Sequence, residues 1–406
     1  MGLSSHRVND PISTFREAKL IADRLRYIEG SPTLALAAKA KALAKAGKPV
    51  LDFTAGEPDF PTPEPIKQAG IQAIQDNHTK YTPVPGLPEL RTAVAASVNR
   101  QRGTVYQASH VIATCGTKHA LFNVFQTLCQ PGDEVIVLSP YWVSFPPLVR
   151  LSGAAPVIVE TTEEDGFLPD PDAIRAALSD TTKAIIVNSP SNPTGAVIDE
   201  DRLKAIARIA LERGLIVVSD EIYDQLVYPP ARHVSIVQAE PKVHDRTVIV
   251  GGVSKTYSMT GWRIGYAVGP QPWIEAMINV QSHSTSNPTS ISQYAALAAL
   301  TGDQQPVAQM LKEFQQRRDR LVNGLNSLAP LHCTIPGGAF YAWCNVKGLA
   351  QSADATATRW LEDALVATVP GEGFGAPGHI RMSFATSLKT IDEALQRLHD
   401  WLKKQR

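Results

Sequence analysis

The residues best equipped for chemistry fall in a few short segments. Lys255 sits in Gly251-Gly252-Val253-Ser254-Lys255-Thr256-Tyr257, a stretch of small, largely uncharged residues, with Arg263 eight positions further on. A lysine in such surroundings is noteworthy, because desolvation disfavours its charged form. Asp220 ends the apolar run Leu215 to Ser219, and Asn192 lies in Ser189-Pro190-Ser191-Asn192-Pro193-Thr194-Gly195, where two prolines restrict the backbone. Gly116-Thr117-Lys118 leads directly into a helical pattern, so its backbone N–H groups and the positive end of the helix dipole can seat a phosphate. Each segment alone also suits something plainer: a helix cap or salt bridge for Asp220, a tight turn for Asn192, an ordinary strand-to-helix turn for Gly116. Taken together they meet one set of needs. A phosphate wants the turn and Arg263, a pyridine nitrogen wants a carboxylate, a phenolate oxygen wants donors, and an aldehyde wants an amine. Those needs match pyridoxal 5'-phosphate held as a Schiff base on Lys255.

Such a site requires elements that bring these segments to one edge. Short Val- and Ile-rich runs predict strands at Val111 to Ala113, Glu134 to Leu138, Pro156 to Glu160, Ala184 to Asn188, Leu215 to Ser219, Val248 to Val250 and Ile264 to Val268. They lack polar alternation, as strands do when helices cover both faces of a sheet. Between them run amphipathic stretches such as Asp199 to Arg213, with a capping Asp199 and a stop at Gly214. The pattern is βαβ and predicts an α/β fold whose large domain is a mostly parallel, doubly wound sheet carrying the cofactor. In such sheets ligands bind beyond the carboxyl ends of the strands, where the segments above lie. Long charged helical patterns, Val307 to Leu328 and Ser387 to Lys404, point to a second, smaller α/β domain. The expected division is an N-terminal arm over 1–30, the small domain from 31–61 with 306–406, and the cofactor domain over 62–305.

Composition excludes other classes. Thirty-nine Lys plus Arg balance thirty-nine Asp plus Glu, which leaves no charge excess to hold nucleic acid or an anionic membrane surface. Apolar types make up 44% of 406 residues, enough for a substantial core, and no run approaches the roughly 18 to 20 apolar residues of a membrane span. A cytoplasmic protein is expected. Cys115, Cys129, Cys333 and Cys344 show neither CxxC spacing nor the density of a disulfide scaffold, so no metal site is expected.

The motifs SPSNPTG (189–195), VSDEIY (218–223) and SKTYSMTGWRIGY (254–266), in this order and spacing, resemble the class I aminotransferases of the fold-type-I pyridoxal phosphate enzymes. TAGEPDFPTP (54–63), KYTPVPGLPELR (80–91), SPYWVSF (139–145), PGGAFY (336–341) and HIRMSFATS (379–387) extend the resemblance from about Ser31 to the C-terminus. It implies that Lys255 forms the Schiff base and moves the substrate proton, that Asp220 pairs with the pyridinium nitrogen, and that Tyr223 and Asn192 bond the cofactor's ring oxygen. The phosphate would lie on Gly116, Thr117 and Lys118, on Ser254 and Arg263, and on Tyr81 reaching across a homodimer with composite sites. Trp142 would stack on the ring. Gly252 departs from the many relatives with a phosphate-binding serine three residues before the lysine. The substrate α-carboxylate is expected on Arg381, helped by Asn192 and the backbone of Gly56.

One branch of the family reads a second carboxylate with an arginine from the neighbouring subunit, but Gln281 to Pro288 contains none. The chain resembles instead the bacterial aspartate aminotransferases that use a lysine and a threonine, here Lys118 and Thr33. The expected reaction is transfer of the amino group of L-aspartate to 2-oxoglutarate. Alternatives on the same scaffold are aromatic, prephenate or other amino-acid aminotransferases and a C–S lyase; prephenate users carry a cation where this chain has Glu29. A regulator with an aminotransferase-like domain would need a DNA-binding module ahead of Ser31; thirty residues are too few for one, and the chain carries no net charge.

Overall fold

The computed structural model describes residues 22–25, 28, 30 and 32–405, without the side chains of 23, 32–35 and 37. The expected arm over 1–30 lies almost wholly outside the described residues, as do the side chains of Glu29 and Thr33; the backbone of Thr33 is in the first turn of helix Pro32–Lys45.

A two-residue strand, β1 (Leu51–Asp52), precedes the large sheet of β2 (Val111–Thr114), β3 (Glu134–Ser139), β4 (Ala155–Glu160), β5 (Thr182–Asn188), β6 (Ile216–Asp220), β7 (Thr247–Gly252) and β8 (Gly265–Val268). Their spatial order is β2-β8-β7-β6-β5-β3-β4. β8 alone runs against its neighbours, and the parallel pairs β3–β4, β3–β5, β5–β6 and β6–β7 form the rest. This is the mostly parallel sheet expected from continuous apolar runs. Ile136, Ile185, Val187, Val217 and Ile249 pack into one core layer, and Val135, Val137, Ile186, Val218 and Val250 into another, one on each face. Strand periodicity of two, with both faces covered, explains why no polar alternation shows in these segments.

Helix Glu200–Arg213 is capped by Asp199, whose side chain accepts from the Arg202 N–H, and ends at Gly214 in the left-handed region with φ of 68°. Two expected helices shift slightly, to Gln305–Asn326 and Leu388–Lys403, the latter capped by Ser387. The helix after β2 begins earlier than its first apolar residue suggests, at Thr117 rather than Ala120, because the polar Thr-Lys pair supplies its first turn. The later chain forms a four-stranded antiparallel sheet, β12 (Val369–Pro370), β13 (His379–Ser383), β10 (Tyr341–Asn345) and β9 (His332–Cys333), in that order. β1 pairs in parallel with β11 (Val366–Ala367), which ties residues before the large sheet to this second region. Among the described residues no helix is long and apolar enough to cross a membrane, and no group of His, Cys, Asp and Glu suits a metal ion.

Candidate active site

Beyond the carboxyl ends of the parallel strands lies a cavity of about 400 Å³ lined by residues of both sheets. Thr117, Lys118, Trp142, Asn192, Asp220, Tyr223, Ser254, Lys255, Arg263, Arg381 and Gly56 all border it. Gly116 lies directly behind this lining, at the start of helix Thr117–Leu128 with φ of 87°. A Cβ there would sit 2.3 Å from Arg263 Nη2, so glycine is required for the guanidinium to reach the turn and donate to the Cys115 carbonyl at 3.3 Å. Gly252 is explained in the same way. A Cβ would fall 2.7 Å from Thr117 Oγ1, whose hydroxyl donates to the Gly251 carbonyl at 3.0 Å, so a serine at 252 would displace this turn.

Asp220 and Glu221 are consecutive, both are buried, and strand geometry sends them opposite ways. Asp220 faces the cavity. Burial pushes its carboxyl up to about 7, with the neighbouring Glu221 adding to the rise and the Ile222 N–H, 3.2 Å from Oδ1, opposing it. Glu221 points away, into Arg102 at 2.6 Å, Ser235 at 2.6 Å, Ser219 at 2.8 Å and His233 at 3.2 Å. Burial alone would raise it, but the Arg102 guanidinium and then His233 and Ser235 hold it well below the usual carboxylate range.

Lys255 donates from Nζ to the Gly56 carbonyl, and its ammonium lies 5.9 Å from the Phe340 ring centre. Burial pushes its amine down to about 8, against the pull of Glu57 and with the push of Arg381 and Arg263. Arg381, on β13, is buried between the rings of Tyr341 at 4.4 Å and Phe374 at 5.1 Å. It donates to Asn192 Oδ1 at 3.0 Å and to the Thr54 carbonyl at 2.9 Å, and its buried Nε has no partner among the described residues. The Lys118 ammonium lies 5.0 Å from the Trp142 ring centre, with its proton affinity lowered by burial and then by Arg263.

The expected residues converge with two exceptions. Tyr81 is 91% exposed and does not border the cavity of its own chain, and the Thr33 side chain is outside the described residues. The structure adds Asn188, Glu57, Thr260 and Tyr341 to the lining. Asn188 ends β5, and Glu57 and Tyr341 stand in TAGEPDFPTP and PGGAFY; position after a strand could have singled out Asn188. Thr260 stands in SKTYSMTGWRIGY, between Lys255 and Arg263.

Pyridoxal 5'-phosphate fits these residues: a buried carboxyl with a raised proton affinity for the ring nitrogen, a lysine with a depressed one for the aldehyde, and a helix start with Arg263 for the phosphate. The family described as Aminotransferase class I and II matches residues 48–398. The aspartate aminotransferase of Geobacillus stearothermophilus is 47% identical over 388 residues, covering 94% of this chain and 99% of that protein. The aspartate/prephenate aminotransferase of Thermus thermophilus is 46% identical, covering 93% of this chain and 97% of that one. The solved structure of Thermus thermophilus aspartate aminotransferase with maleate superposes with a TM-score of 0.91 at 45% identity, covering 94% and 99% of the two chains. With the motifs, the fold and the cavity in agreement over nearly its whole length, this chain belongs to the class I and II aminotransferases, enzymes that use pyridoxal 5'-phosphate.

Proposed function

We propose that this chain transfers the amino group of L-aspartate to 2-oxoglutarate, giving oxaloacetate and L-glutamate. The observation that carries the assignment is a pair of cations, Arg381 and Lys118, on one cavity that also holds Lys255. Arg381 presents a planar fork suited to the α-carboxylate, steadied by Asn192 and Thr54 and flanked by aromatic rings. Arg263 is committed to the phosphate turn, and Gln281 to Pro288 offers no arginine, so Lys118 is left for the second carboxylate, with Thr33 as its helper. Relatives named aspartate aminotransferase support the same substrate.

When bound, pyridoxal 5'-phosphate supplies an electron sink for the pair released as the substrate Cα loses its proton. Asp220 would keep the ring nitrogen protonated. Tyr223 and Asn192 would donate towards the ring oxygen, and Trp142 would pack against the ring. Gly116, Thr117, Ser254 and Arg263 would hold the phosphate through backbone N–H, hydroxyl and guanidinium groups. Lys255 would take the proton from the substrate Cα and return it to the cofactor's C4′, a role suited to an amine that is partly neutral near physiological pH. The same assignment divides the chain into a cofactor-binding domain over 62–305 and a smaller domain over 31–61 with 306–406, supported by the pairing of β1 with β11.

A charge-assisted contact to the distal carboxylate is worth about 1.5–3 kcal/mol, or roughly ten- to a hundredfold in rate. Lys118→Ala is therefore expected to lower kcat/KM for aspartate by that factor while changing alanine or phenylalanine less than about threefold. Donor assays with 2-oxoglutarate check it, and equal losses for aspartate and phenylalanine would remove Lys118 from substrate recognition. A prephenate arm in the same assay tests the wider range of relatives named aspartate/prephenate aminotransferase.

The exposed Tyr81 is assigned to the phosphate of a neighbouring copy, which makes the working unit a symmetric dimer with two composite sites. Sedimentation of the holoenzyme should give a dimer, and a fully active monomer would overturn the assignment.

A further inference from the structure

Tyr341 touches both ends of the cavity. Its hydroxyl lies 2.8 Å from that of Tyr223, the phenol assigned to the cofactor's ring oxygen, and its ring centre lies 4.4 Å from the Arg381 guanidinium carbon. All three side chains are buried. The position is held firmly by its backbone. The turn before it is fastened to the segment after Tyr223 by the Tyr228 N–H to the Gly337 carbonyl at 2.8 Å and the Ala339 N–H to the Leu226 carbonyl at 2.8 Å. The Tyr228 hydroxyl adds a bond to the Ala339 carbonyl at 2.6 Å, and β10 carries Tyr341 opposite Ser383, two residues from Arg381.

A phenol has one proton to give and lone pairs to accept with. For Tyr223 to spend its proton on an oxygen in the cavity, the bond between the two phenols must run from Tyr341 to Tyr223. How well Tyr341 donates depends on its own acidity. Burial raises its pKa, and the Arg381 guanidinium over its ring lowers it. A carboxylate seated on Arg381 cancels that positive charge, so Tyr341 becomes a weaker donor and Tyr223 in turn a weaker one. An oxygen that receives a weaker hydrogen bond is more basic.

We propose that Tyr341 is a positioning residue that relays the arrival of a substrate carboxylate at Arg381 to the Tyr223 hydroxyl, and through it to the proton affinity of the bound cofactor. The inference rests on Arg381 as the α-carboxylate site and not on which amino acid is the donor. Asn192, which accepts from Arg381 at 3.0 Å, offers a parallel route, so removing the Tyr341 hydroxyl weakens the coupling without erasing it.

The test compares wild-type holoenzyme with Tyr341→Phe and Tyr341→Ala, reading the pH midpoint of the cofactor's visible band with and without saturating propionate, an unreactive monocarboxylate. Binding constants for propionate and for maleate are measured alongside. Propionate should raise the wild-type midpoint. Tyr341→Phe should start with a midpoint higher by about half a pH unit or more and lose over half of the propionate-induced rise. Its propionate Kd should stay within about threefold of wild type, because the ring beside Arg381 remains, whereas Tyr341→Ala should bind propionate about tenfold more weakly. A wild-type midpoint that propionate leaves unmoved overturns the proposal, as does a Tyr341→Phe variant with wild-type midpoints in both states. A Phe variant that loses as much propionate affinity as the Ala variant also overturns it, since that is a packing defect. Maleate that binds wild type no tighter than propionate would count against the dicarboxylate substrate alone and leave the relay standing.

Discussion

Lys255→Ala is expected to lower transamination by at least about 10³-fold and to abolish the yellow band of the holoenzyme, because the variant lacks the lysine assigned to hold the cofactor aldehyde and move the Cα proton. The surroundings of Lys255 make it fit for both roles, since its amine is pushed down to about 8, chiefly by burial, and a usable neutral fraction exists near physiological pH. The sign of the pH dependence follows. Capture of free pyridoxal 5'-phosphate by cofactor-free protein needs the neutral amine, so its rate should rise with pH through about 8 and level off above it, well short of the range of an exposed lysine. Stopped-flow absorbance measures that profile. Borohydride reduction of the holoenzyme with peptide mapping should place the label on Lys255, and a label on any other lysine would sink the assignment.

Asp220→Ala should cost about 10²–10³-fold in the half-reaction with aspartate, the loss typical of removing one preorganised electrostatic partner. The carboxyl stands at the end of β6, 3% exposed, and burial has pushed it up to about 7. Such a group is costly to ionise alone and pairs readily with a ring nitrogen that shares its proton. Asp220→Glu keeps the charge but lengthens the side chain, and should retain more activity than the alanine variant. Glu221 cannot substitute, since it is engaged by Arg102, Ser235, Ser219 and His233 on the far side of the strand. Single-turnover rates, with circular dichroism to show an intact fold, check the prediction; a loss below about tenfold for Asp220→Ala would move the ring-nitrogen role elsewhere.

Much of the fold was legible because its cause is local. The seven strand segments announce themselves through continuous Val and Ile runs, and the caps Asp199 and Ser387 and the stop Gly214 mark helix ends within a residue or two. The direction of β8 was not legible, since a four-residue apolar strand looks the same whichever way its neighbours run. At the site, Lys255, Asp220, Asn192, Arg263 and the Gly116-Thr117-Lys118 turn could be picked out from their place after strands, whereas Arg381, and Lys118 as a reader of the distal carboxylate, acquired those roles only from the motif resemblance.

The amino-acid sequence by itself determined which segments are extended or helical, which turns can hold a phosphate, and the family, because periodicity, capping and motif spacing are properties of neighbours along the chain. Only the tertiary structure showed where the neighbouring Glu221 goes: successive side chains at the end of β6 point opposite ways, so Asp220 lines the cavity while Glu221 is taken up by Arg102. It also decided that Gly252 leaves room for the Thr117 hydroxyl, and that Tyr341 bridges Tyr223 and Arg381. Arg381 meets the Thr54 carbonyl across 327 residues of sequence, and Tyr223 meets Tyr341 across 118. Contacts of that span arise from how two sheets close on one another, which no local pattern encodes.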